Sequence, residues 1–170
     1  MVRNEACDPA RSRDKLYSKP RIFNDLLSSQ PLCFNLFAEC CPATSVLASA
    51  LIRDLTGGRF TMVRSVEFEH SPGRGSPQYT ADRSAFDVFL ECETCSGRRG
   101  FIGIEVKYHE NLLGPAARHR ARYDEISAQM GCFAPGVEKD LMQAPIQQIW
   151  RDHPLAGITR IVDGYEMLSS

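Results

Sequence analysis

The chain lacks several features that define membrane and secreted proteins. No run of apolar residues approaches the ~20 that cross a bilayer, so we expect no transmembrane segment. The N-terminus is polar and has no apolar core of a secretory signal, from which we expect a cytoplasmic protein. The 7 cysteines are an odd number, which argues against the paired framework of a secreted disulfide scaffold.

The sequence also lacks an excess of charge of either sign. Its 20 Lys and Arg against 21 Asp and Glu give a net charge of −1. Nucleic-acid-binding domains often carry a basic excess, so this balance counts mildly against that function, although a local basic groove is compatible with it. The 170 residues, 43% of them hydrophobic, are enough for one globular domain with a real core.

The most informative stretch, residues 84–110, predicts two strands joined by a turn. In strands 85–92 and 100–109, aliphatic and polar residues alternate. The aliphatic positions are Phe86, Val88 and Leu90 in the first strand and Ile102, Ile104 and Val106 in the second. Successive strand side chains point to opposite faces, so we expect the aliphatic set in the core. Asp87, Glu105 and Lys107 then share the other face.

Two carboxylates and an amine are costly to bury within apolar strands without a partner, so their presence there indicates a site. The chemistry that these groups suit is metal-assisted phosphodiester hydrolysis. Mg²⁺, and Mn²⁺ likewise, prefers carboxylate and carbonyl oxygens, so Asp87, Glu105 and the carbonyl of Val106 form a candidate metal site. Lys107 is a candidate to orient the attacking water or to stabilise charge in the transition state. The ordinary alternative is an exposed ion pair between Glu105 and Lys107.

The segment before the hairpin adds secondary candidates. Residues 59–70 predict a strand on which Glu67 or Glu69 supplies a further carboxylate, an exposed strand acid being equally compatible. Residues 71–80 contain two Pro and two Gly and predict a loop. Arg74 at its tip is a candidate phosphate contact, or a solvated loop arginine.

Three helices are predicted around the hairpin, over residues 42–55, 115–130 and 145–153. On the second, Arg118, Arg122 and Tyr123 are candidate contacts to a nucleic-acid backbone, with a solvated face as the alternative. On the third, the expected buried residues are Ile146, Ile149, Trp150 and His153. Pro154 is expected to stop this helix, and residues 155–170 to form a strand-like tail.

One motif consists of Asp87, seventeen intervening residues and then Glu105-Val106-Lys107. It resembles the D…(D/E)-x-K signature of the PD-(D/E)XK nuclease superfamily. The flanking sequence, including VEFEHSPGRG, RRGFIGIEVKYHENL and PIQQIWRDH, is similar to a restriction-endonuclease branch of that superfamily. The resemblance covers about two thirds of the chain, from Pro31 to His153. One departure is Ser84-Ala85-Phe86, where the superfamily name places a proline before the aspartate.

The resemblance implies an α/β restriction-endonuclease-like core, a central mixed β-sheet flanked by helices, at residues 31–153. Residues 1–30 are then a mobile arm and residues 154–170 a tail. It implies a nuclease, most often a DNA endonuclease, with Mg²⁺ or Mn²⁺ as cofactor. Its partner is nucleic acid rather than a membrane, and a homodimer is an option because many relatives cut duplexes as dimers. It also makes Gln147 or Gln148 candidates for a glutamine that several relatives bring near the active site. Some members carry a metal-binding Glu on the opening helix, where this chain has only Asp54.

Other functional classes compete with the nuclease. The first is a non-catalytic nucleic-acid-binding or interaction module that retains the fold. The second is a zinc-stabilised adaptor using Cys92-x-x-Cys95, although a lone CxxC is a weak signal. A nucleophilic site on Cys132 with His109 or His119 is a third, but no spacing singles out either histidine.

Overall fold

The computed structural model describes residues 2–25, 27–40, 46–108, 118–134 and 136–167. The chain divides into two compact units. The sheet unit comprises Met1–His70, Phe86–Glu110 and Tyr165–Ser170, and the helical unit comprises Ser71–Ala85 and Asn111–Gly164. The boundaries predicted at residues 30/31 and 153/154 stay predictions. In the part of the chain that is described, no helix combines the length and apolarity needed to cross a bilayer.

Three antiparallel strands form the sheet, in the order β1 (Phe60–His70), β2 (Phe86–Thr94) and β3 (Arg99–Ile104). Leu90 of β2 pairs with Val66 of β1 and with Ile102 of β3, which confirms the predicted hairpin. β3 ends at Ile104, earlier than predicted. The reason is that the N–H of Val106 donates to the Asp87 carboxylate instead of to a strand carbonyl.

Among the described residues of the sheet unit there are five α-helices, α1 (Val2–Cys7), α2 (Pro9–Ser12), α3 (Arg21–Asn24), α4 (Ser29–Phe37) and α5 (Val46–Leu55). Apolar residues of α1, α3, α4 and α5 form one buried cluster with the aliphatic face of the sheet. Val88, Leu90 and Cys92 supply the centre of that face and are at most 1% exposed. The segment predicted as an arm contributes Ala6 and Ile22 to the cluster.

The opposite face of β2 carries an aromatic group. The ring of Phe89 stacks on Phe101 with centroids 5.1 Å apart, and Phe101 meets Tyr165 edge-on at 4.9 Å. Glu166 accepts hydrogen bonds from Thr94 and Ser96 at 2.5 and 2.7 Å. Residues 165 and 166 are therefore fastened to the β2–β3 hairpin.

The helical unit contains α6 (Ala121–Met130), α7 (Glu138–Leu141) and α8 (Gln147–Asp163). Gly131 and Gly164 end α6 and α8 in the left-handed conformation that favours glycine. The predicted start of α6 at Pro115 lies outside the described residues. Residues 118–120 are not helical, so the helix begins later than predicted.

The predicted end of α8 at Pro154 is wrong, because the helix continues to Asp163. A proline inside a helix removes one backbone hydrogen bond. Here Leu155 and Ile158 are at most 2% exposed, so their burial favours continuing the helix despite that loss. The predicted mixed sheet is also not found among the described strands, since the residues expected to add a strand belong to α8. The predicted buried stripe of α8 is only partly correct, with Trp150 buried but Ile146 and Ile149 44% and 46% exposed.

Candidate active site

The acidic site lies where β2 begins and β3 ends. Val88 of β2 pairs with Ile104 of β3 in antiparallel register. The next residues outward, Asp87 and Glu105, are therefore neighbours. The N–H of Val106 donates to Asp87 Oδ2 at 2.7 Å and ties the segment after β3 to the aspartate. The structure thus brings together the two carboxylates that the sequence pattern indicates.

Asp87 lies on a different side of the sheet from the one expected. Phe86 packs with the aromatic group, 5.9 Å from Phe89 and 6.1 Å from Phe101 between ring centroids. The alternation predicted for β2 therefore breaks at its first residues. Asp87 instead lines a small cavity with Phe34, a residue of the aliphatic core.

Lys107 forms an ion pair with Glu105. A spacing of two residues puts both side chains on one side of an extended segment. Their side chains are 30% and 25% exposed, so the pair is partly shielded and still reachable from solvent. The ammonium group is thereby held beside the carboxylates.

The pKa of Glu105 is raised to about 6, mainly by burial and then by the negative charge of Asp87, with a smaller contribution from Glu69, while Lys107 opposes the shift. The side chain therefore holds a proton at a pH where an ordinary glutamate is ionised. Such a carboxyl is ionised at neutral pH at an energetic cost. A cation bound beside it would remove that cost.

Glu69 joins this site and Glu67 does not. Gln30 Nε2 donates to Glu69 Oε1 at 3.0 Å, and both residues line the cavity that Asp87 lines. Glu69 has a positive φ of 51°, which a non-glycine residue adopts uncommonly. Glu67 accepts instead from His70 Nδ1 at 2.9 Å, and its side chain is 48% exposed.

The thiol of Cys33 lies close enough to three carboxylates for their charges to act on it. Its pKa is raised by burial and then by the negative charges of Asp87, Glu105 and Glu69. Three carboxylates from β1, β2 and the segment after β3 therefore act on one point beside α4. Among the described residues, no three His, Cys, Asp or Glu side chains stand together at metal-ligand spacing.

The alternative cysteine sites receive no geometric support. Cys92 is buried in the core, where burial and then Glu91 raise its pKa to about 12, whereas Cys95 is exposed in the turn. Cys132 is exposed, and His119 is engaged with Asp124 at 2.8 Å. His109 lies outside the described residues.

In the helical unit, Arg122 and Tyr123 hold the loop 71–85. Arg122 donates to the carbonyls of Tyr79 and Gln78 at 2.8 and 3.1 Å. Tyr123 is 2% exposed, and its hydroxyl donates to Asp82 Oδ2 at 2.8 Å. Both side chains predicted to contact nucleic acid are thus engaged within the unit.

The remaining sequence candidates are spread over the helical unit. Arg118 is exposed and lines a cleft described below, and Arg74 is half-buried in the loop. Of the two candidate glutamines, Gln147 is 3% exposed and Gln148 is exposed.

Sequence reasoning missed Gln30 and Cys33, both on α4. Gln30 reaches Glu69 across 39 residues of sequence, and it also donates to the Leu16 carbonyl at 3.0 Å. Neither residue belongs to a motif or a charged run, so no local pattern indicates its place beside the carboxylates. Only the packing of α4 against the sheet reveals it.

A comparison with known families identifies the superfamily of the chain. The sequence model of the PD-(D/E)XK nuclease superfamily matches residues 1–168. No curated protein and no solved structure gives a significant match. The family match spans nearly the whole chain and includes Asp87 and Glu105-Val106-Lys107. The chain belongs to the PD-(D/E)XK nuclease superfamily.

Proposed function

We propose that this protein is a metal-dependent endonuclease that hydrolyses phosphodiester bonds of DNA. The observation that carries the proposal is the hydrogen bond from the Val106 N–H to Asp87, which holds the Glu-x-Lys segment against the aspartate. The superfamily supports a nuclease. DNA as the substrate rests on the similarity of the flanking sequence to the restriction-endonuclease branch.

The residues present suit a hard divalent cation. Asp87, Glu105 and the carbonyl of Val106 would hold Mg²⁺ or Mn²⁺, which favour oxygen ligands. The raised pKa of Glu105 supports this assignment, because uncompensated negative charge is the condition that a cation relieves. When bound, the ion supplies Lewis-acid activation of the phosphate and of a water molecule.

Lys107 has two tasks in this proposal. Its ammonium group orients the attacking water and stabilises the negative charge that develops on the phosphate. The ion pair with Glu105 keeps the amine at the site before substrate arrives. Glu69 is the secondary acid we retain, since it shares a cavity with Asp87, whereas Glu67 is engaged by His70.

The second candidate is a non-catalytic nucleic-acid-binding module with the nuclease fold. The Lys107–Glu105 ion pair favours it, because this pair also neutralises the site without a metal. The two functions differ in one property: only the nuclease needs a divalent cation at Asp87 and Glu105.

The test is cleavage of plasmid, single-stranded DNA and RNA with Mg²⁺, with Mn²⁺ and with EDTA. Wild type is compared with Asp87→Ala, Lys107→Ala and the matched control Glu91→Gln, which removes a strand carboxylate bonded to Arg99 at 2.8 Å. We expect metal-dependent DNA cleavage by wild type and Glu91→Gln, with loss in the other two variants. Absence of both cleavage and metal binding in the wild type would leave the binding module. Cleavage that survives in Asp87→Ala would show that the site is elsewhere.

A further inference from the structure

The helical unit contains a cleft of about 700 Å³, a volume in the usual range for small-molecule and cofactor sites. Four arginines line it, namely Arg83, Arg118, Arg120 and Arg151, and the aspartate Asp82 lies among them. The whole chain carries a net charge of −1, so this is a local concentration of positive charge that the total conceals.

Both carboxylate oxygens of Asp82, the one acid that lines the cleft in the described part of the chain, already accept hydrogen bonds from the protein. Asp82 Oδ1 accepts from Thr80 Oγ1 and from the Ser84 N–H, each at 2.9 Å. Asp82 Oδ2 accepts from Tyr123 at 2.8 Å and from Arg151 Nη2 at 2.9 Å. Arg151 is the only cleft arginine, among the described residues, that this acid neutralises. The carboxylate therefore builds the wall of the cleft and leaves the other three positive charges uncompensated by it.

These three arginines differ in how firmly they are held. Arg120 Nη1 donates to the Ala81 carbonyl at 2.7 Å, which fixes its guanidinium against the loop. Arg83 and Arg118 are exposed, and no acidic side chain in the described part of the chain pairs with either. The acids of α6 are used elsewhere, Asp124 by His119 and Glu125 by Arg122.

The loop 71–85, which carries Arg83, is held in place by hydrogen bonds from arginine side chains. Arg122 and Arg120 bind three carbonyls of the loop 71–85, and Arg151 Nη2 also donates to Ser84 Oγ at 3.0 Å. The loop is thus held to α6 and α8 by side chains from both helices. Because the backbone that carries Arg83 is ordered in this way, binding of an anion there has less conformational entropy to remove.

We propose that this cleft binds phosphate groups along a nucleic-acid strand and so gives the helical unit a substrate-holding role of its own. Arg83 and Arg118 make the direct contacts, Arg120 assists, and Asp82 with Arg151 positions the loop. A guanidinium group can donate two parallel hydrogen bonds to the oxygens of one phosphate. Contacts of this kind to the backbone give no base-sequence specificity. The identification of the strand as substrate rests on the proposed nuclease function.

The test measures binding without cleavage. A fluorescent oligonucleotide, single-stranded or duplex, is titrated by anisotropy in EDTA at several salt concentrations. Arg83→Ala/Arg118→Ala is compared with Arg53→Ala/Arg64→Ala, which removes the same charge from exposed positions of the sheet unit. We expect about a tenfold or greater loss of affinity in the first variant only, and a salt slope on duplex lower by about two.

Two further arms separate the possible outcomes. Arg83→Lys/Arg118→Lys keeps the charge and is expected to restore part of the affinity, while thermal melting checks that each variant is folded. Inorganic phosphate or a mononucleotide that competes as well as the oligonucleotide would make this a free-nucleotide site and overturn the proposal. Equal effects of the two double-alanine variants would overturn it as well.

This proposal and the nuclease proposal fail in different ways. If Arg83→Ala/Arg118→Ala binds the oligonucleotide as well as wild type and still cleaves DNA through Asp87, the phosphate-binding role of the cleft is refuted and the nuclease proposal stands. If the wild type does not cleave DNA but the double variant binds the oligonucleotide more weakly than wild type, the nuclease proposal is refuted and the phosphate-binding role of the cleft stands.

Discussion

The two charged regions of this protein are built in opposite ways. The acidic site stands on strands, where Asp87 and Glu105 are neighbours because β2 and β3 pair in register. The arginine cleft stands on the loop 71–85, which Arg122 and Arg151 hold to two helices. In the first region the carboxylates of Asp87 and Glu105 repel each other and Lys107 offsets this only in part, whereas in the second a central acid is fully bonded.

This difference indicates a division of labour. Repelling carboxylates are poised for a cation, since the raised pKa of Glu105 marks charge without enough compensation. Arg83 and Arg118 pair with no acid in the described part of the chain and lie beside a satisfied aspartate, so they are poised for an anion. The overall charge of −1 hides both regions because it sums them.

The largest expected effect is the loss of DNA cleavage activity in the Glu105→Gln variant. A bound metal contributes several kcal/mol to the transition state, so we expect cleavage to fall by about 10²-fold or more. Mn²⁺ binding, measured by calorimetry, falls with it. Oligonucleotide binding in EDTA stays at the wild-type value, because the glutamate belongs to the other region. A variant that loses strand binding as well would erase the distinction between the regions.

The next effect is on folding, through Arg151→Ala. The substitution leaves Asp82, whose side chain is 7% exposed, without its ionic partner. Removing one partner of a buried pair is costly, and partial exposure of Arg151 reduces the cost, so we expect a loss of about 2–3 kcal/mol in unfolding free energy. Urea denaturation measures it. Arg64→Ala, at an exposed pair with Glu93, serves as control with an expected loss below about 1 kcal/mol.

The pH dependence of stability has opposite signs in the two regions. In metal-free protein the raised pKa of Glu105 means that the folded state binds the extra proton, so stability increases as pH falls from neutral to about 5, by about 1–2 kcal/mol. At Asp82, burial raises the pKa but hydrogen bonds from Ser84, Tyr123 and Thr80 outweigh it, so the pKa is lowered. Its stabilisation is present above the ordinary aspartate range and is lost on further acidification.

Thermal denaturation across pH checks both signs. Glu105→Gln is expected to remove the gain on mild acidification, and Asp82→Asn to reduce the loss at low pH. A gain that persists in Glu105→Gln would assign it to another group.

The smallest effect distinguishes two acids of β1. Glu69→Gln is expected to weaken Mn²⁺ binding by about tenfold, the lower end for groups that support metal ligands, because Glu69 shares the cavity with Asp87. Glu67→Gln leaves the affinity unchanged, since His70 engages that side chain away from the cavity. Calorimetric titration of both variants measures the difference, and equal affinities would exclude Glu69 from the site.

The hairpin and the pairing of Asp87 with Glu105 could be predicted because the apolar pattern of the two strands and the short turn between them set the register locally. The continuation of α8 past Pro154 could not, since buried residues from Leu155 onward outweigh the local signal of a proline. The face of Asp87 was also hidden, because Phe86 packs with aromatic residues from β2 and β3.

The arginine cleft was hidden for a different reason. Arg83, Arg118 and Arg151 are far apart in sequence and meet only when the loop folds onto the helices. The sequence indicated Arg118, which lines the cleft, but it also indicated Arg122 and did not indicate Arg83. Arg122 binds loop carbonyls instead. Which arginine is left unpaired depends on these long-range contacts.

The most direct test measures cleavage and binding side by side in Asp87→Asn and in Arg83→Ala/Arg118→Ala. Cleavage of plasmid DNA is followed with Mg²⁺, and oligonucleotide affinity with EDTA. We expect Asp87→Asn to lose cleavage and keep affinity, and the arginine variant to lose affinity and recover cleavage when DNA is in excess. The opposite pattern, or a parallel loss of both properties in folded variants, would contradict separate cation and phosphate sites.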